Sequence, residues 1–167
     1  KERLSNKPIE IHFHSDFGLG VANTIMAVLS GAEVIHSTVG GIGERCGNAA
    51  MEETAMALLT MYGIDGGINF DKINELSRLV MKLSRLEVPP QRPFVGDKAF
   101  TVESGIVTGW YRNAYKDNPT TVFPIRPEFV GHAKPEIVMG KKSGVDNIAV
   151  WAEQLGLKIA EEKKMEI

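Results

Sequence analysis

Two histidines near the beginning of the chain are the residues whose type and spacing could most directly do chemistry. Residues 9–14 read IEIHFH, in which apolar and polar residues alternate with the period of a β-strand, so His12 and His14 lie on one face. Neutral imidazole is a common metal ligand, and two neighbouring imidazoles can form half of a metal site. Asp16 and a Gly-Leu-Gly turn follow, and then a helical pattern begins. A strand that ends in polar groups and leads into a helix is a βα unit, and in α/β folds the chemistry gathers at the carboxyl ends of the strands.

The composition is that of an ordinary globular protein. The 167 residues are 43% hydrophobic and 24% charged, which is enough to build a core in one or two domains. A net charge of −2 gives no electrostatic reason to expect nucleic acid or an anionic membrane as a partner. The single cysteine, Cys46, excludes an internal disulfide and suits a reducing compartment, so we expect a cytoplasmic protein. No apolar run reaches the ~20 residues of a membrane span.

Strand and helix patterns alternate three times in the first half of the chain. Apolar residues at i, i+4, i+7 and i+8 predict a helix that ends at Gly31, and two further helices have the same kind of buried stripe. Each helix follows a short extended segment, as parallel βαβ units require. The predicted strands are residues 9–14, 33–38 and about 66–69, and the predicted helices are residues 19–29, 48–62 and 71–86.

The pattern changes near residue 88. Three prolines within residues 88–97 predict an extended linker, because proline fixes φ and keeps the preceding residue out of the helical region. Beyond the linker, residues 99–113 and 145–155 are predicted to be helices. Ser143 and Asp146 have the spacing of a capping box for the second of them. The predicted organisation is an α/β part at residues 1–87, a Pro-rich linker at 88–97 and a small helical subdomain at 98–167.

Three parallel βα units do not make a stable fold by themselves. They leave unpaired strand edges and uncovered apolar faces, and a (β/α)8 barrel needs about 250 residues. The chain also begins at Lys1 in mid-pattern and without an initiator methionine. We therefore expect an α/β fold that is the C-terminal part of a TIM (β/α)8 barrel, with its first strands supplied by a preceding part of the same chain or by another chain.

Five segments of the sequence carry a resemblance to a known family. In chain order they are HFHSDFGLGVAN, STVGGIGERCGNAAMEE, VPPQRPFVGDKAF, ESGI and MGKKSG. They resemble the C-terminal portion of the isopropylmalate synthase and homocitrate synthase family, which includes citramalate synthase and is related to hydroxymethylglutaryl-CoA lyase. The resemblance runs from about Ile9 to Leu157, nearly the whole chain.

The resemblance implies an acyltransferase of amino-acid biosynthesis that has a TIM barrel and a divalent metal, Mg, Mn or Zn. Such an enzyme joins an acyl-CoA, here acetyl-CoA, to a 2-oxo acid in a Claisen-type condensation, so its partners are small molecules. The metal acts as a Lewis acid on the ketone, and a base takes a proton from the methyl group of acetyl-CoA. The appended helices of relatives pack across subunits, so a homodimer or a larger assembly is expected.

The resemblance also assigns roles to individual residues. His12, His14 and Asn48 would be metal ligands, and a fourth ligand, an aspartate, would lie in sequence that this chain does not contain. Thr38 would bind the carboxylate of the 2-oxo acid. Each residue also has a plainer interpretation. The histidines can be surface residues, Asn48 can be the N-cap of the helix that it starts, and Thr38 can be an ordinary β-branched strand residue.

The residues around these positions have open interpretations. Asp16 is either a turn former or an acid behind the metal ligands, and Glu44 and Arg45 are expected to form structural ion pairs. Cys46 is expected to be a small buried residue and not a catalytic thiol, because its surroundings resemble the synthases more than the lyase. No partner pattern accompanies His36 or His132.

The sequence departs from the family where proton transfer would be expected. The family's HESGIH has valine at both histidine positions here, Val102 and Val107, and its GKHSG has Lys142 in place of histidine. Valine cannot transfer a proton, so another residue must be the base, and Glu103 is the adjacent candidate. The alternatives to condensation are a metal-dependent carbon–carbon lyase of the hydroxymethylglutaryl-CoA lyase or aldolase type, and a non-catalytic relative.

Overall fold

The computed structural model describes residues 7–160 and 163. Two compact units, Lys1–Val88 and Pro89–Ile167, make up the chain. Within the described residues, no helix combines the length and the apolar character that crossing a membrane requires.

The first unit contains a parallel βαβ motif. Its elements in chain order are β1 (Glu10–His12), α1 (Gly20–Leu29), β2 (Val34–His36), α2 (Met51–Tyr62) and α3 (Ile73–Ser84). Strands β1 and β2 are parallel neighbours, and α1 connects them. The register pairs His12 with His36, and both side chains are exposed. The first two predicted βα units are therefore present, although each strand is shorter than predicted.

The third predicted βα unit lacks its strand. Residues 64–69 form irregular backbone between α2 and the 3-10 turn that precedes α3. Gly63 ends α2 in the left-handed conformation, with φ at 66°, and the Asp65 carboxylate accepts the N–H of Gly67 at 2.8 Å. The segment does not pair with the sheet, which within the described residues contains only β1 and β2. The prediction of a strand at about 66–69 is therefore wrong.

A buried carboxylate ties α2 to the glycine-rich loop before it. Glu52 is 1% exposed, and its two oxygens accept the N–H of Gly40 at 3.0 Å. Gly40 has a left-handed backbone, with φ at 65°, in a 3-10 turn at Val39–Gly41. The tip of Met81 from α3 fills the space where a side chain at position 40 would lie. Helices α2 and α3 thus fix the beginning of the loop that leads to Asn48.

The second unit adds another short parallel sheet. Its elements in chain order are β3 (Thr101–Val102), α4 (Gly105–Ala114), 3-10 turns at Pro119–Thr121 and Pro127–Val130, β4 (Glu136–Ile137) and α5 (Val145–Gln154). The helix predicted at 99–113 begins only at Gly105, because the residues before it pair with β4 in the sheet. The helix predicted at 145–155 is confirmed to within one residue. The predicted helical subdomain is therefore a mixed α/β unit.

The Pro-rich segment is folded into turns and is not extended. The N–H of Arg92 donates to the carbonyl of Pro89 at 2.9 Å, and that of Lys98 donates to the carbonyl of Pro90 at 2.8 Å. Val95, between these turns, is 0% exposed. The fixed φ of proline suits the early positions of tight turns as well as extended chain, so the proline content alone could not distinguish the two.

A fully buried asparagine joins the sheet of the second unit to α5. Asn147 is 0% exposed. Its Nδ2 donates to the carbonyls of Glu103, at 2.8 Å, and Val138, at 3.1 Å, and its Oδ1 accepts the N–H of Gly144 at 3.0 Å. One side chain therefore satisfies three backbone groups that would otherwise lose their partners.

The start of α5 is organised differently from the predicted capping box. Gly144 is the N-cap residue, so the predicted pairing of Ser143 with Asp146 is wrong. The Oγ of Ser143 accepts the N–H of Gly140 at 2.9 Å, and Asp146 forms an ion pair with Arg112 of α4. The local spacing fits a capping box, but other partners bind both side chains.

We expect Asn147→Asp to destabilise the second unit. The carboxylate keeps the shape of the amide but has no hydrogen to donate, so two carbonyls lose their donor and a charge is buried. The free energy of unfolding should fall by about 2–4 kcal/mol, measured by urea denaturation of the whole protein. The matched control is Asn113→Asp at an exposed position of α4, which should change the free energy by about 0.5 kcal/mol or less. Equal stability of the two variants would contradict this role of Asn147.

Candidate metal centre

The last residue of β1 and the second residue after it, His12 and His14, have their predicted ligand side chains in contact. The Nε2 atoms of His12 and His14 are 3.3 Å apart, and the ring centroids are 5.0 Å apart at an interplanar angle of 79°. Two nitrogens bound to one metal at ~2.0–2.1 Å are separated by about 3.0 Å at a right angle and about 3.4 Å at the tetrahedral angle. The observed separation therefore suits two ligands of a single cation.

A short backbone pairing places Asn48 beside His14. The two residues form an isolated antiparallel bridge. On either side of them, the N–H of Ser15 donates to the carbonyl of Gly47 at 2.9 Å, and the N–H of Ala49 donates to the carbonyl of Phe13 at 3.1 Å. The end of β1 and the segment before α2 are thereby joined at the residues that carry the predicted ligands.

The carboxamide of Asn48 has an oxygen with no protein partner. Its Nδ2 donates to the carbonyl of Ile42 at 3.2 Å, whereas its buried Oδ1 has no hydrogen-bond partner among the described residues. Gly43 leaves room for this group, since a β-carbon at position 43 would lie 2.6–2.8 Å from the atoms of the carboxamide. The N-cap of α2 is Ala50, so the interpretation of Asn48 as an N-cap is wrong. An oriented, unpaired amide oxygen is instead free to act as a ligand.

The residues present fit a partial coordination shell. His12 and His14 supply imidazole nitrogens, and Asn48 supplies an oxygen, a mixed donor set that suits Zn, Mn or Mg. The Nδ1 of His14 is buried and also has no hydrogen-bond partner within the described part of the chain. A ligating histidine usually donates this second N–H to an outer partner. No group of three His, Cys, Asp or Glu side chains in residues 7–160 could hold a metal ion by itself.

Thr38 lies next to this group but has a protein partner. Its Oγ1 donates to the carbonyl of Ile42 at 2.7 Å, and the same carbonyl accepts the Nδ2 of Asn48. A hydroxyl has a single hydrogen, so Thr38 in this geometry can accept a hydrogen bond but cannot donate one to a substrate carboxylate. Its contacts therefore suit the positioning of Asn48, and binding of a carboxylate would require the hydroxyl to rotate away from Ile42.

Asp16 and Arg45 form an ion pair at the edge of the candidate centre. The Nε of Arg45 lies 2.7 Å from Oδ1 of Asp16, and its Nη2 lies 3.1 Å from Oδ2. This hydrogen bond holds the pKa of Asp16 below its ordinary value. Glu44 is a more distant partner of Arg45, at 3.9 Å. Cys46 is exposed, so its prediction as a buried residue is wrong, because the turn at residues 43–46 faces outward.

The sequence analysis missed a third histidine that adjoins this centre. The ring centroid of His36 is 5.9 Å from that of His12, and its Nε2 is 3.3 Å from Oε2 of Glu10. Each predicted strand has an Ile-His pair followed by two further residues, so a parallel register that aligned the strand ends would have paired His12 with His36. The other histidine without a predicted partner, His132, stacks edge-on against Phe100 with ring centroids 5.1 Å apart.

The predicted base, Glu103, lies in the second unit. Its Oε1 accepts the N–H of Lys142 at 3.1 Å, and its Oε1, Cδ and Cγ occupy the space that a side chain at position 140 would need. Of the two valines that replace the family's histidines, Val102 is 6% exposed in β3 and Val107 is partly buried on α4. Glu103 thus lies against the loop at residues 140–144, and its contacts there suit a structural role.

The two units match two successive family models. Residues 1–80 match the model described as HMGL-like, and residues 94–167 match the one described as homocitrate synthase post-HMGL domain-like. Homocitrate synthase AksA of Methanopyrus kandleri is 46% identical to this chain over 93% of its length, and the match covers 38% of the relative. (R)-citramalate synthase CimA of Methanocaldococcus jannaschii is 43% identical over 95% of this chain, and the match covers 31% of the relative. 2-isopropylmalate synthase of the same organism is 41% identical over 93% of this chain, and the match covers 29% of the relative.

The first part of the chain is therefore HMGL-like, which is a TIM-barrel class of protein, and the second part is the domain that follows it in homocitrate synthases. The chain belongs to the isopropylmalate, homocitrate and citramalate synthase family, which confirms the resemblance of its motifs. It spans about a third of the length of the relatives named above.

Substitution of Thr38 should distinguish positioning of Asn48 from binding of substrate. Thr38→Val removes the hydroxyl but keeps the shape, and we expect it to weaken binding of Mn²⁺ or Zn²⁺ by about tenfold in isothermal titration calorimetry, as loss of an outer contact does. Thr38→Ser, the control, keeps the hydroxyl and should bind within about twofold of the unchanged protein. If Thr38→Val left metal affinity unchanged and raised only the KM for a 2-oxo acid, Thr38 would be a substrate ligand.

Proposed function

We propose that the protein carrying this chain condenses an acyl-CoA, with acetyl-CoA as the first candidate, with a 2-oxo acid. The observation that carries the proposal is the pair of Nε2 atoms 3.3 Å apart, together with the unpaired Oδ1 of Asn48, a residue whose backbone pairs with that of His14. Family membership supports the reaction class, since the relatives are named as synthases of isopropylmalate, citramalate and homocitrate. In this proposal the chain contributes one part of the enzyme, including three of the metal ligands.

The same proposal makes the first unit part of a TIM barrel. Strands β1 and β2 form a two-stranded parallel sheet, which is too small to be stable without further strands. One face of this sheet, with His12 and His36, is exposed. In a closed barrel that face would line the interior, and the remaining strands would come from the same chain or another chain. Residues 1–87 would then be the barrel part, and residues 98–167 a subdomain joined to it through residues 88–97.

We propose His12, His14 and Asn48 as ligands of a divalent cation, Mg, Mn or Zn, with an aspartate from outside this chain. When bound, such a cation supplies Lewis-acid polarisation of the ketone of the 2-oxo acid. The residues of this chain orient the ligands: the bridge between His14 and Asn48 fixes their backbones, and the carbonyl of Ile42 fixes the rotation of the carboxamide.

The condensation also needs a base and a water molecule. The base removes a proton from the methyl group of acetyl-CoA, the resulting carbon bonds to the ketone carbon, and hydrolysis of the thioester releases CoA as a free thiol. Val102 and Val107 cannot accept the proton. Glu103 is the adjacent candidate, but its Oε1 already accepts the N–H of Lys142, so we propose that another residue accepts the proton.

A metal-dependent carbon–carbon lyase is the second candidate. The observation that favours it is the replacement of both family histidines by Val102 and Val107, since a changed set of proton carriers is compatible with a changed reaction.

A homodimer is also proposed, as the resemblance implies. Its support is the exposure of apolar side chains in the second unit, where Ile106 is 71% and Trp110 is 52% exposed.

Thiol release tests the condensation directly. The whole protein, incubated with acetyl-CoA and a panel of 2-oxo acids, should release free thiol that depends on the oxo acid, and EDTA should reduce the rate by at least about tenfold. Re-addition of Mg²⁺, Mn²⁺ or Zn²⁺ should restore it. A panel without release, but with cleavage of a hydroxyacyl-CoA to acetyl-CoA, would favour the lyase, and inactivity in both assays would favour a non-catalytic relative.

Glu103→Gln should separate a structural role from proton transfer. Glutamine retains an oxygen that can accept the N–H of Lys142 but cannot act as a base, so we expect kcat within about threefold of the unchanged protein. Glu103→Ala should lower the free energy of unfolding by about 1 kcal/mol, because the hydrogen bond is lost. A fall of about a hundredfold in the kcat of Glu103→Gln, at unchanged stability, would identify Glu103 as the base.

A further inference from the structure

Asp16 and Arg45 join the two segments that carry the candidate metal ligands. Asp16 follows His14 by two residues, and Arg45 precedes Asn48 by three. Between these positions the two segments are connected by the N–H of Ser15, which donates to the carbonyl of Gly47, by the Oγ of Ser15, which donates to the carbonyl of Asn48 at 3.4 Å, and by the backbone pairing of His14 with Asn48. The ion pair therefore adds a side-chain connection at the end of the backbone connection, on the side away from α2.

We propose that Asp16 and Arg45 are positioning residues that set the placement of Asn48 relative to His14 and so set the affinity of the metal centre. The proposal rests on the proposed function, because it presupposes that His12, His14 and Asn48 bind a cation. It assigns Asp16 a role beyond that of a turn former, and it gives the Arg45 ion pair a function beyond structural stabilisation.

The geometry of the Asp16–Arg45 ion pair suits a role in orienting the two segments that it joins. Arg45 presents Nε and Nη2 to the two carboxylate oxygens at 2.7 and 3.1 Å, a bidentate arrangement that fixes direction as well as distance. Lysine, a point charge on a flexible stem, cannot reproduce it. Glu44 competes weakly, because its carboxylate lies 3.9 Å from a different nitrogen, Nη1.

The backbone conformation of Arg45 and the exposure of the ion pair also support a positioning role. Arg45 has φ at 55°, a left-handed conformation that glycine or asparagine would adopt more easily. The side chains of Arg45 and Asp16 are 54% and 39% exposed, and ion pairs as exposed as this contribute little to the free energy of unfolding. An arginine at a strained position that adds little stability is better explained by what its fork holds in place.

Metal titration of three variants tests the proposal. After removal of metal with EDTA, the whole protein and the variants Asp16→Asn, Arg45→Lys and the charge reversal Asp16→Arg/Arg45→Asp are titrated with Mn²⁺ and Zn²⁺ by calorimetry. We expect each single variant to bind about tenfold more weakly, as loss of an outer support does, and the reversal to recover part of the loss. The visible absorption of bound Co²⁺ should shift in the single variants, which reports altered ligand geometry.

Two controls separate positioning from folding. The melting temperature of the metal-free protein should change by less than about 2 °C in the single variants, because the pair is exposed. Glu44→Gln, which leaves the fork intact, should bind metal within about twofold of the unchanged protein. Unchanged affinity and Co²⁺ absorption in both single variants would overturn the proposal while leaving the proposed function intact. If the unchanged protein bound no metal, both proposals would fail, whereas metal binding without thiol release would contradict only the condensation.

Discussion

The candidate centre depends on the backbone pairing between the segment just after β1 and the segment before α2. Residues 14 and 48 are distant in sequence, and they meet because Ser15 donates to Gly47 and Ala49 donates to Phe13. The loop can reach this position because Gly47, with φ at 81°, leaves space for the carbonyl of Gly41 that a β-carbon would overlap. Gly47 thus serves the placement of the neighbouring Asn48.

The unpaired polar atoms at this junction have an energetic meaning. A buried polar atom without a partner costs about 1–3 kcal/mol, and Asn48 Oδ1 and His14 Nδ1 are two such atoms within the described residues. Proteins keep such atoms where a ligand or a further part of the structure satisfies them. A cation at Asn48 Oδ1 would break no protein hydrogen bond, because Ile42 already takes the donor side of the amide. The carboxamide is therefore oriented before any ligand arrives.

The parts of the structure that follow from local chemistry could be predicted from the sequence, and those that follow from long-range pairing could not. The alternation around His12 and the terminating Gly63 are local signals, and they gave the strand and the end of α2. The strand β3 is two residues long and exists because it pairs with β4, which no local pattern reveals. Likewise, Asn48 is an excellent N-cap type, and only the position of Ala50 at the start of α2 shows that it has another role. The exposure of Cys46 depends on the direction of a loop, which composition does not determine.

The valines at positions 102 and 107 constrain the proposed reaction in a way that the candidate metal ligands do not. Val102 is buried in β3, where an ionisable side chain would be poorly solvated, so the strand suits an apolar residue. Proton transfer must then come from elsewhere, and the direction of the reaction depends on the fate of the thioester. Condensation hydrolyses the thioester and releases a free thiol, whereas cleavage of a hydroxyacyl-CoA returns the thioester as acetyl-CoA. Polarisation of an oxygen by a cation serves both directions, so the ligands alone do not choose between them. The choice depends on whether the completed site holds a water molecule against the thioester carbonyl.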